Sequence, residues 1–160
     1  MTNQKALQLV QQDGMNLQYI ENQTKEICLA AVKQNGLALQ FVKNQTEEIC
    51  LAAVKQNGLA LEFIENQDRK IILVAVRQNG LALRYAADID WGICWLAVKQ
   101  NGNTLEFIPD QFKVFAIYYR AILTTPEAIQ FAPPSLIPAI QAALLAETLN
   151  ELHEIKAQLK

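Results

Sequence analysis

The sequence predicts an all-α fold: an α-solenoid of short helix-turn-helix repeats with a period of 22, closed by a long C-terminal capping helix. Three observations carry that expectation. Five of the six glycines, Gly14, Gly36, Gly58, Gly80 and Gly102, fall 22 residues apart. Each closes a near-identical phrase: VQQDG, VKQNG, VKQNG, VRQNG and VKQNG. The units 22–43 and 44–65 differ at only four positions, three of them changes of charge state and one Val to Ile. A fixed period of this length marks a repeat array, in which each unit buries its apolar face only against its neighbours. One repeat domain over 1–160 is expected, with repeats 1–21, 22–43, 44–65, 66–87 and 88–109, a degenerate copy 110–133, and a capping helix 135–159.

The first half of each unit reads as a helix. Thr24 and Thr46 are good N-caps followed by acidic residues in the first turn, which suit the positive end of the helix dipole. Ile27, Cys28, Leu29, Ala31 and Val32 then form a broad apolar stripe. Asn35-Gly36 predicts a stop through a left-handed C-terminal cap, so that Gly→Ala costs about 1 kcal/mol.

The second half, LALQFV, carries two signals. Leu37, Leu39 and Phe41 alternate as a buried strand does, whereas Ala and Leu favour helix. A leucine-rich repeat needs Asn where Val42 stands, so the expectation is a short second helix. Ala31, Ala53, Ala75 and Ala97 are equivalent, and small side chains there let neighbouring helices approach closely.

In the sixth copy a strict count puts Tyr119 at the alanine position and Arg120 at the following valine position, with two extra residues before AIQFAP. Bulk and charge there are expected to end the array. Pro133 and Pro134 close it, and Ser135 is the expected cap of the last helix. Leu145, Leu149, Leu152 and Leu159 form a seam on that helix, interrupted by Lys156. The helix either folds on the last repeat or pairs with a partner or a second copy.

Composition narrows the chemistry. A net charge of −2 and a pI near 5.4 argue against nucleic acid, which demands a basic excess. No stretch reaches the ~18 apolar residues of a membrane helix, and the N-terminal segment does not read as a signal peptide. A cytoplasmic location is expected, in the cell of origin or in a host. Cys28, Cys50 and Cys94 share one repeat position that Ile72 also occupies, which is the behaviour of a packed thiol rather than a metal ligand. The only histidine, His153, lies in a distant segment. The acidic pairs Glu47–Glu48 and Asp88–Asp90 sit at helix starts, where the dipole explains them. No nucleophile–base pair, phosphate loop or HExxH motif is present, so neither an enzyme nor a cofactor is expected.

Two features remain for binding. Lys33, Lys55, Arg77 and Lys99 are equivalent and form a ladder of cations, with Gln34, Gln56, Gln78 and Gln100 beside them. The cations complement helix C-termini, and the glutamines are placed to bond between repeats. As a strip, the cations also suit an acidic protein surface or phosphates. Trp91 replaces Lys25, Glu47 and Arg69 and is therefore expected to point outward as an interface anchor. Trp95, equivalent to Leu29, Leu51 and Leu73, is expected in the core.

The phrase AVKQNGLAL(Q/E)F, joined by NQ(T/D) linkers, resembles the family called domain of unknown function 4116 over residues 1–109. The resemblance implies tandem helical repeats and an interaction role, and it brings no catalytic motif. Some members of that family sit in secreted effectors of intracellular pathogens. The expected function is a non-catalytic, protein-binding helical repeat acting as adaptor, effector or inhibitor. The alternative is a structural or engineered consensus scaffold without a specific ligand, to which the near-identity of adjacent units points.

Overall fold

Each of the first five α-helices begins where a short polar side chain accepts from a free backbone N–H, whereas the sixth opens at Val114 without such a cap. In the computed structural model, which describes residues 1–158, Thr24, Thr46, Asp68 and Asp90 accept from the N–H of Ile27, Ile49, Ile71 and Ile93. These caps open α2 (Lys25–Gln34), α3 (Glu47–Gln56), α4 (Arg69–Gln78) and α5 (Trp91–Gln100). α1 (Asn3–Gln12) precedes them under Thr2. α6 (Phe115–Thr124) and α7 (Ile137–Gln158) follow. No strand occurs among the described residues. No described helix is long and apolar enough to cross a membrane.

The second half of each unit is helical, as expected, but it is 3₁₀ rather than α. Six-residue 3₁₀ helices span Gly14–Tyr19, Gly36–Phe41, Gly58–Phe63, Gly80–Tyr85, Gly102–Phe107 and Pro126–Phe131. Their side chains eclipse every third residue. Gly36, Leu39 and Val42 accordingly face the core, joined by the small Ala38 that the neighbouring repeat covers, while Leu37 and Phe41 are half-buried. The apparent period of two was the shadow of a period of three. The result is two stacked layers, one of α-helices and one of 3₁₀ helices, each element packing on its counterpart in the next repeat. The core between them is continuous, with Ile27, Leu39, Ile49, Leu61, Ile72 and Leu83 almost fully buried.

The glycine ladder is structural for a different reason from a left-handed cap. No glycine has a positive φ. The helix ends at Asn35, whose backbone is extended at φ −144° and ψ 110°. The Asn35 Oδ1 accepts from Leu37 N–H at 3.0 Å and starts the 3₁₀ turn. Gly36 is required because the next repeat passes so close: a Cβ there would lie 2.5 Å from the Ala53 carbonyl oxygen. Gly58 stands in the same way 2.4 Å from that of Ala75. The small alanines and the glycines thus make one contact seen from two sides.

The glutamines hold that contact. Gln34, Gln56, Gln78 and Gln100 each accept a hydrogen bond from the N–H of the preceding repeat's glycine, at 2.6 to 2.8 Å. The amide nitrogens of Gln34, Gln56 and Gln78 also reach back to a helix-end carbonyl, as Gln78 does to Gln56 at 3.3 Å. A second row braces the opposite edge, where Gln23, Gln45 and Gln67 donate to the carbonyls of Phe41, Phe63 and Tyr85.

The sixth unit corrects the register. The two extra residues lie before its helix, in a 3₁₀ turn over Asp110–Phe112, and not after it. Ala121 and Ile122 therefore take the alanine and valine positions and are buried. Tyr119 and Arg120 do not end the array by bulk. Pro126, standing where the other units have glycine, has no N–H to offer a further glutamine. α7 begins at Ile137, two residues beyond the expected Ser135 cap, with Pro138 in its first turn. It buries Ile140 and packs Leu144 on the array, and residues 148–154 are all exposed. Leu159 lies outside the described residues, as does the side chain of Lys156.

Candidate functional site

The outward face of the α-layer is where the repeats stop being alike. Successive helices present their first, fifth and ninth residues there, one turn apart on one side. The ninth-position row reads Lys33, Lys55, Arg77, Lys99 and then Leu123. The fifth reads Leu29, Leu51, Leu73, Trp95 and Tyr119, all half-buried. Trp95 and its equivalents therefore form the floor of this face rather than the core expected for them. The first-position row reads Lys25, Glu47, Arg69, Trp91 and Phe115.

Charge on this face divides into two kinds. In the first turns, cations and carboxylates of adjacent helices neutralise one another: Lys25 with Glu48 at 2.5 Å, Lys70 with Glu47 at 2.6 Å, and Arg69 with Asp90 at 2.7 Å. The hydrogen bond from Arg69 holds the Asp90 carboxyl below its usual range, and the Ile93 N–H adds to that. By contrast, Lys33, Lys55, Arg77 and Lys99 are exposed and make no ion pair among the described residues. Shallow troughs run between the helices, of about 810 Å³ beside Leu29 and Lys33 and about 440 Å³ beside Leu51 and Lys55.

Toward the C-terminal end the face turns aromatic. Trp91 is 45% exposed and stacks on Trp95, with ring centroids 5.3 Å apart. One helix on, Phe115 is 40% exposed and stacks on Tyr119 at 6.0 Å. Val114 and Leu123 extend the same exposed apolar surface. The Tyr119 hydroxyl donates to Glu147 of α7, which raises the tyrosine pKa and ties α7 to the rim of this shelf. Beside it, the buried Nε of Arg120 has no hydrogen-bond partner among the described residues.

Trp91 and the four cations thus lie on one face, as the sequence places them, with Trp91 laid along the helix rather than standing free. Phe115, Tyr119 and Leu123 were missed. Aligning Ile117-Tyr118-Ala121-Ile122 with Ile93-Cys94-Ala97-Val98 is the signal that finds them, because it moves the insertion ahead of the helix. The three thiols sit elsewhere, inside the stack. Burial raises the pKa of Cys28 and Cys50 and pushes that of Cys94 up to about 11.

Two layers of short helices repeating every 22 residues, with no strand among the described residues, define a helical-repeat solenoid. The chain belongs to the family described as Domain of unknown function (DUF4116), whose model matches four overlapping stretches at residues 4–46, 24–67, 46–89 and 68–113. Each stretch covers two units, and α6 with its aromatic pair lies beyond the last. No curated protein and no solved structure matches the chain.

Proposed function

We propose that this chain is a non-catalytic protein-binding module that takes its partner on the outward face of the α-layer. The observation that carries the proposal is the aromatic shelf, where Trp91 and Phe115 stay 45% and 40% exposed on a framework otherwise braced at every repeat. Large aromatics held rigid at a surface are the residues that anchor interfaces. The face is preorganised, so little ordering entropy opposes binding. Roles as adaptor, effector or inhibitor all fit this face. The free, buried thiols suit a reducing cytosol. The test is affinity capture from the source cell with wild type and with Trp91→Ala/Phe115→Ala. One enriched protein should be lost from the double variant. Equal capture by both, or no enrichment, counts for a scaffold without a ligand.

A second reading concerns α7, whose Leu145, Leu149 and Leu152 are 62%, 46% and 53% exposed at four- and three-residue spacing. That seam matches a helix that pairs with another copy. Light scattering of the whole chain against Leu149→Glu should then show a larger species that the variant reduces to monomer. A monomer in both removes the reading.

A further inference from the structure

The rows of the α-layer differ in a way that specifies an occupant. The ninth-position row is cationic for four rungs, Lys33 to Lys99, and becomes apolar at Leu123. The fifth-position row beside it is apolar throughout and ends in Trp95 and Tyr119. The first-position row is charged, but those charges are already paired across helices. An apolar floor bordered on one side by unpaired cations, and on the other by neutralised pairs, asks for an amphipathic element with one acidic border.

We infer that the partner presents an acidic amphipathic helix, laid across α2 to α6 with its apolar end on the Trp91–Phe115 shelf and its carboxylates along Lys33, Lys55, Arg77 and Lys99. This rests on the protein-binding reading of the face and adds the partner's chemistry. A helix fits better than an extended segment. The layer offers side chains and no open sheet edge, so the occupant must satisfy its own backbone. Adjacent packed helices lie ~8–10 Å apart, which is ~6 residues of helical rise, so the occupant carries an acid at about every sixth or seventh residue. Four such steps, from Lys33 to Leu123, correspond to a helix of about 20–25 residues. A nucleic acid fits less well. Glu47 and Glu48 share the face, and a net charge of −2 opposes a continuous phosphate chain.

The chain reports its own shelf, because Trp91 and Trp95 are its only tryptophans. Fluorescence titration should use a synthetic helix of about 24 residues with a leucine stripe and a glutamate border, the same helix with lysine replacing glutamate, and a single-stranded DNA of equal charge. The glutamate helix is expected to bind about 10-fold or more tighter than the lysine helix at low salt, with the gap closing as salt rises. Lys55→Glu/Arg77→Glu should reverse that preference, and the milder Lys55→Gln/Arg77→Gln should shrink it. Equal affinities, DNA binding tighter than the glutamate helix, or no binding of the glutamate helix overturns the acidic occupant. If Trp91→Ala weakens both helices alike while the charge variants change nothing, the shelf still binds protein and only the acidic partner is lost. If neither helix responds to Trp91→Ala, the protein-binding reading of the shelf fails as well.

Discussion

Gly58 gives its backbone N–H to Gln78 Oε1 at 2.6 Å, across the boundary between two repeats. This bond explains why the glycine and the glutamine recur together. The glycine lets the next helix come close enough to be bonded, and the glutamine fills the resulting gap with one acceptor and one donor. Sequence periodicity and stacking are here the same contact.

Gly58→Ala should destabilise the chain by about 2–3 kcal/mol, because its methyl would press on backbone that cannot swing aside. A Cβ there lies 2.4 Å from the Ala75 carbonyl oxygen. Gly92 is the internal control. It sits in the first turn of α5, and a Cβ there meets only the side chains of Asp90 at 3.2 Å and Arg69 at 3.5 Å. Gly92→Ala should therefore stabilise by about 0.5–1 kcal/mol through helix propensity. Urea unfolding of the two variants should show midpoints moving in opposite directions.

Gln56→Leu should cost about 1–3 kcal/mol, since it strands the Gly36 N–H and the Gln34 carbonyl. The neighbouring Lys55→Met, on the exposed face, should stay within ~0.5 kcal/mol. A similar loss from both would mean that the glutamine row carries no special share of the stacking.

Asp90 makes the stability of the fold sensitive to acid. Arg69 and the Ile93 N–H depress its folded pKa below that of the unfolded chain. Its contribution is then complete above the unfolded value of about 3.9 and is lost as pH falls through the folded one. Asp90→Asn keeps a good cap without the charge. The stability gap between wild type and Asp90→Asn should be constant from pH 7 to about 5 and close below about 4. A gap that widens in acid contradicts the assignment.

The thiols should be silent in the folded state. Cys28 and Cys50 have raised pKa values, and Cys94 sits at about 11, all three buried. A thiol reagent at pH 7 should leave them unreacted until denaturant is added. Fast labelling of the native chain would show that the stack opens locally.

Much of this was legible in the sequence because repeats compare each position with itself. Ile72 among the cysteines marked a packed site, Thr24 and Thr46 marked helix starts, and the lysine and glutamine rows were separable into outward and bridging sets. Two physical facts were hidden. A glycine needed for close approach looks the same in sequence as one needed for a left-handed turn, and only the position of Ala53 decides between them. The insertion ahead of α6 broke the count of 22. Phe115 was therefore not compared with Trp91, and half of the shelf went unseen. The 3₁₀ period of three in LALQFV imitated a strand because Leu37 and Phe41 are half-buried at its flanks.

The most direct test of the protein-binding face is site-specific photo-crosslinking in the source cell. A photoreactive phenylalanine analogue is placed at Phe115 on the α-layer and, in a second chain, at Gln40, which is exposed on the opposite 3₁₀ layer. A discrete adduct is expected from position 115, vanishing with Trp91→Ala, and none from position 40. Adducts of equal yield from both positions, or from position 40 alone, would contradict the protein-binding face.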